Sequence, residues 1–212
     1  GAPLDLDSCL QHARSATQPQ QCSRVLQDLG SFLRKHPGQQ YTHQQLREME
    51  AAAGALTATL LGRGSSSSKQ AAPFQQMDGK QLCLSLWGLA TLAECNSSIR
   101  SEQMQQLVDG VAAHVVVSGI LDQPADKACM NWSMLLYNTA RLSRCQDSQP
   151  VQQLFDLAAQ QFPRMLHRKQ PCEPQSISNA LWAFATAEYP GSLRGLVAEV
   201  ASDGAQAMEG AK

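Results

Sequence analysis

Apolar residues recur along this chain at intervals of three and four. Leu46, Met49, Ala53, Leu56 and Leu60 form one stripe, and Met104, Leu107, Val108, Val111 and Val115 a second. Val151, Leu154, Phe155, Ala158 and Phe162 form a third, and Ile177, Leu181 and Phe184 a shorter fourth. That spacing places each set on one face of an α-helix. Asp78 and Ser101 stand where N-caps belong, and Pro124, Pro150, Pro174 and Pro190 are expected between elements. Pro163 is expected to kink or end the helix that contains it.

The pattern repeats. Gln81 to Leu92 aligns with Asn131 to Leu142 and with Ser176 to Ala187. Each copy has Leu, then a large aromatic (Trp87, Tyr137, Trp182), then Gly88, Asn138 or Ala183, and an Ala three places after the aromatic. A second element alternates with it: Gln-Gln-Leu followed by an acid, at Gln44 with Glu48, Gln105 with Asp109, and Gln152 with Asp156. Each unit is thus a helix A followed by a helix B, with a period of about 45 residues, in the range of helical solenoids.

The expected fold is all-α: a solenoid of stacked antiparallel helix pairs, about three repeats plus partial ends. Residues 1–61 are expected to form N-terminal helices with a degenerate repeat, in which Gln20 to His36 is an A helix. Residues 62–77, with Ser65 to Ser68, are expected to be a flexible insertion, 78–190 the array, and 191–212 a truncated B helix and tail. The row Trp87, Tyr137 and Trp182 is expected to fill the cores between successive hairpins, with small neighbours letting the helices approach.

Composition narrows the picture. The chain has 212 residues, with 17 Lys+Arg against 18 Asp+Glu and a formal net charge of −1. Only local clustering could then make a nucleic-acid surface. Gln and Ala are abundant, β-branched residues scarce and aromatics 5%, which argues against a sandwich or barrel. The 7 cysteines include no CxxC pair and are odd in number, which excludes a complete disulfide framework; several are expected to be free small core hydrophobes, and a reducing compartment is expected. The longest apolar stretch, Val111 to Leu121, is far too short to span a bilayer. The chain starts at Gly1, so a processed chain or a fragment is expected, with any targeting segment outside it.

Pro174 to Ala185 (Pro-Gln-Ser-Ile-Ser-Asn-Ala-Leu-Trp-Ala-Phe-Ala) resembles the core of an octotricopeptide repeat, with a good match at Gln81 to Leu92 and a poor one at Asn131 to Leu142. That family is best known in green algae. The resemblance runs from Asp78 to Pro190 and weakly back to Cys22. It implies paired helices in a superhelix, binding of a specific organellar RNA, and residence in the chloroplast stroma or mitochondrial matrix. The family's roles include transcript stabilisation, processing and translation within ribonucleoproteins, and structural parts of algal mitochondrial ribosomes.

No HExxH, GxGxxG, P-loop or GxSxG motif is present, so no enzyme, cofactor or metal is expected. A Cys–His pair could meet only in space. His114 is expected to be a partly buried structural residue. In helical RNA-binding repeats, polar side chains of the A helices read bases. The candidates are Lys80, Gln81 and Ser85; Lys127 and Asn131; and Gln175, Ser178 and Asn179. Lys80 and Lys127 are either solvated helix starts or phosphate contacts. Asn179 either meets a base or hydrogen-bonds the adjoining hairpin. Arg164, Arg168 and Lys169, with His167, either complement a helix C-terminus or form a phosphate-binding rim. Arg141 and Arg144 carry the same alternatives. The expected partners are single-stranded or ribosomal RNA and ribonucleoprotein components, with no membrane. A protein-interaction scaffold is the rival reading.

Overall fold

Local signals set the helix ends. Asp5, Thr42, Asp78 and Ser101 each accept a hydrogen bond from the backbone three residues on, and so start helices at Leu6, His43, Gly79 and Glu102. Thr42–Gln45 and Asp78–Gln81 close reciprocal capping boxes. Gly62 and Gly119 end two helices at φ of 73° and 64°, where a Cβ would be strained.

The structure, a computed structural model, describes residues 5–63, 71–166 and 172–209. Among these residues there is no strand and there are nine α-helices: α1 (Leu6–Ser15), α2 (Pro19–Lys35), α3 (His43–Leu61), α4 (Gly79–Cys95), α5 (Glu102–Ser118), α6 (Ala128–Leu142), α7 (Gln149–Leu166), α8 (Pro174–Thr186) and α9 (Arg194–Glu209). None is long and apolar enough to cross a membrane. The packing has two series: α2, α4, α6 and α8 lie side by side in chain order, and α1, α3, α5, α7 and α9 do the same beside them. One continuous core joins both. Its centre includes Leu29, Leu56, Leu89, Val115, Leu135, Phe155 and Phe184, each buried side chain contributing about 1.5–3 kcal/mol.

The α2–α4 seam is the tightest. A Cβ on Gly88 would lie 2.3 Å from the Leu26 carbonyl oxygen, and one on Gly30 would lie 2.7 Å from the Trp87 ring. Glycine at both places lets the two helices approach this closely.

Several details depart from the sequence reading. Helix α1 precedes the degenerate A helix and packs on α2 and α3. Pro150 and Pro174 sit in the first turns of α7 and α8, where a missing N–H costs nothing, rather than between elements. Pro163 does not end helix α7, which includes it. Helix α9 extends to Glu209, beyond the expected end at Val200. Within 62–77, Phe74 and Met77 are buried, Phe74 lying edge-on to His114, whereas Ser65 to Ser68 lie outside the described residues.

One cysteine pair departs from the expected reducing compartment, while the rest fit the reading of free thiols. Cys129 at the start of α6 and Cys172 just before α8 form a disulfide, because the two helices bring their Cα atoms to 5.6 Å. Cys9, Cys22, Cys83, Cys95 and Cys145 are free, and all but Cys95 are buried.

Candidate functional site

The A helices α2, α4, α6 and α8 share an open face. Residues at i, i+3 or i+4, and i+7 project there: Leu84, Trp87 and Thr91 from α4; Met134, Tyr137 and Arg141 from α6; Gln175, Asn179 and Trp182 from α8. Most of them, with Leu33 and Arg34 of α2 and Glu94 of α4, line a groove of about 730 Å³. Trp182 borders an adjoining groove of about 450 Å³.

Trp87, Tyr137 and Trp182 therefore do not fill cores between hairpins. Trp87 and Tyr137 are half-buried groove walls, and Trp182 is 43% exposed. The expected mutual packing survives in one pair, since the Tyr137 and Trp182 rings sit 4.6 Å apart, tilted by 40°. The tryptophan that lies in the core is Trp132, fully buried, with Nε1 donating to Asp122 Oδ1 at 2.9 Å.

A hydrogen-bond network neutralises the groove floor. Arg141 donates from Nε to Glu94 Oε1 at 2.7 Å and from Nη2 to Glu94 Oε2 at 2.6 Å. It also donates to Asn138 Oδ1 and Thr91 Oγ1, and its guanidinium lies 5.5 Å from the Tyr137 ring centroid. Arg144 pairs with Glu188 at 2.6 Å. Both arginines thus resolve toward structural roles. Helix α6 is instead capped by Arg100, which donates to the carbonyls of Arg141 and Leu142.

The expected contact residues divide. Gln175 and Asn179 reach the groove, Gln175 Nε2 donating to Asn179 Oδ1 at 2.8 Å; that bond runs along α8, not to the adjoining hairpin. Lys80 and Lys127 are exposed at helix starts. Gln81 is half-buried, with Oε1 accepting from the Asp78 backbone N–H at 3.0 Å, so its side chain serves the cap. Ser85 and Asn131 are corrections: at 3% and 4% exposure they lie between packed helices, out of reach of any ligand in the groove. Ser178 is exposed but lies on the outer edge of α8 rather than in the groove. Arg164 is exposed in the last turn of α7, in the other layer. Arg168 and Lys169, with His167, lie outside the described residues.

Sequence reasoning missed Arg34, Glu94, Met134 and the groove-facing role of the aromatics. The signal was the i, i+3, i+7 stripe shared by 84–87–91, 134–137–141 and 179–182–186, read there as core because three of its members are aromatic.

Desolvation, and then the neighbouring Glu94 carboxylate, raise the pKa of Cys95, the cysteine that lines the groove. Burial pushes the Cys83 thiol up to about 12, and the Cys9, Cys22 and Cys145 thiols to about 11. Among the described residues, no group of three or more His, Cys, Asp and Glu is placed to hold a metal ion. His114 is half-buried, and burial holds its imidazole below the ordinary 6.5. No family model, curated protein or solved structure matches the chain.

Proposed function

We propose that this chain is a non-catalytic RNA-binding α-solenoid of the octotricopeptide type. It acts on a specific organellar RNA within a ribonucleoprotein, in the chloroplast stroma or mitochondrial matrix. The observation that carries this reading is the recurrence of one aromatic position, Trp87, Tyr137 and Trp182, along the open face of successive A helices, beside Gln175 and Asn179. Aromatic faces stack on bases of any sequence, contributing about 1–3 kcal/mol per base, and side-chain amides read base edges. Exposed Arg34, Lys80 and Lys127 supply phosphate contacts around that face.

One observation favours the rival scaffold reading. Glu94 neutralises Arg141, and Leu33, Pro37 and Met134 add apolar lining, as a peptide groove requires. Crosslinking in the cell, followed by sequencing of RNA bound to the full protein, separates the two. A defined organellar RNA with crosslinks at Trp182 or Tyr137 is the expected result. Crosslinks to protein alone would favour the scaffold.

A further inference from the structure

Four positions recur on the edge by which each A helix meets the next. Leu82, Cys83, Leu86 and Ala90 of α4 correspond to Trp132, Ser133, Leu136 and Ala140 of α6, and to Ile177, Ser178, Leu181 and Ala185 of α8. In α4 and α6 all eight residues are buried. The neighbour is the cause: α6 packs along α4, with Cys83 Sγ donating to the Asn131 carbonyl at 3.3 Å, and α8 packs along α6. In α8 the same edge is open. Ser178 and Ala185 are exposed, Ile177 and Leu181 half-buried, and among the described residues no other helix packs along it. The second layer is open at the same end, where Val197 of α9 is 54% exposed.

The other end of the series differs. Helix α2 presents Gln20, Arg24 and Gln27 to water at i, i+4 and i+7. A polar outer face is how a helical array finishes, because an uncovered apolar stripe gains nothing in water. Ile177, Ser178, Leu181 and Ala185 include no charge at all.

We infer that the outer edge of α8 is a docking surface for one more helix of the A pattern, uncharged along its contact stripe and carrying small residues there. The edge itself specifies this occupant. Ser178, Leu181 and Ala185 repeat Ser133, Leu136 and Ala140 residue for residue, so the helix that fits α6 also fits α8. Helix α8 meets α6 with Ala180 and Ala183, both fully buried. A Cβ-sized contact stripe is therefore what the α8 edge accepts. Ser178 becomes a packing residue, as Ser133 is.

The test appends a second copy of residues 167–212 after Lys212, its own tryptophan replaced by W182F. The extended chain should unfold in one cooperative transition with a higher Tm than the parent, because neighbouring units couple through their interface. Emission from the original Trp182 should shift to the blue as the appended helix flanks one side of its ring, the way α8 flanks Tyr137. Leu181→Glu in the original unit should abolish both changes, judged against the parent carrying the same substitution, since Leu181 is half-buried there. Should Leu181→Glu prevent folding, Ser178→Arg at an exposed position takes its place. An appended unit that melts separately with unchanged Trp182 emission overturns the proposal. So does self-association of the parent in sedimentation velocity that Leu181→Glu removes, which would give the edge to a second copy.

Discussion

Trp132 and Trp182 lie on neighbouring helices of one layer. The first is fully buried, with its indole N–H bonded to Asp122 in the turn before α6. The second rests one face on Tyr137 and leaves 43% of itself to solvent. The difference follows from helical phase. Trp132 occupies an edge position, which the next helix covers, while Trp182 occupies a groove position, which none covers. Position on the helix, not residue type, decides whether an aromatic is core or surface.

The largest effects should separate these positions. Trp132→Ala should cost about 3–5 kcal/mol, as large core truncations do, and should leave Asp122 without its donor. Trp182→Ala should cost only about 1 kcal/mol, because much of its area is already in water. Equal losses in denaturant unfolding would break the comparison.

Between them comes the α2–α4 seam. Gly88→Ala forces a methyl group against the Leu26 carbonyl and should cost about 1–3 kcal/mol. Gly54→Ala is the control: its new methyl meets nothing within 4 Å in mid-helix, so it should stabilise by up to about 1 kcal/mol. Matching signs at the two glycines would contradict the close approach.

The smallest effect concerns His114, half-buried against Phe74 with Nε2 lacking a partner. Its folded pKa is depressed, so the unfolded chain takes up the proton first as pH falls through 6.5. The stability it contributes is complete above that value and is lost as pH falls through the lower folded value. Denaturation midpoints between pH 7 and 5 should therefore decline less steeply in His114→Phe than in the parent.

Much of this was legible in the sequence. The alternation of A and B helices, the N-caps at Asp78 and Ser101, and the B-helix stripes follow from periodicity and short-range hydrogen bonding alone. What was not legible depends on which neighbour covers which face. The aligned row of aromatics looked like core because its residues are large and apolar, yet it marks the open side. Ser85 and Asn131 looked like polar contacts, but Ser85 is enclosed at the α4 surface and Asn131 lends its carbonyl to Cys83 across the α4–α6 seam. Arg141 was open between a helix C-terminus and a phosphate-binding rim, and it is held by Glu94 from a helix 47 positions away in sequence. The Cys129–Cys172 bond likewise needs two helices side by side. None of these pairings has a local signal.

The central claim is that the A-helix face binds RNA chiefly through aromatic and amide contacts, with few phosphates. Titration of the crosslinked RNA and a scrambled counterpart at several salt concentrations tests it most directly. With Arg34, Lys80 and Lys127 as the phosphate contacts, the log–log slope should be about 2, at roughly 0.7 per phosphate on a single strand. The crosslinked RNA should bind more tightly, Trp182→Ala should weaken it, and Gln175→Ala should erode the preference without changing the slope. Equal affinity for both RNAs with a steep slope, or no binding to either, would contradict the account.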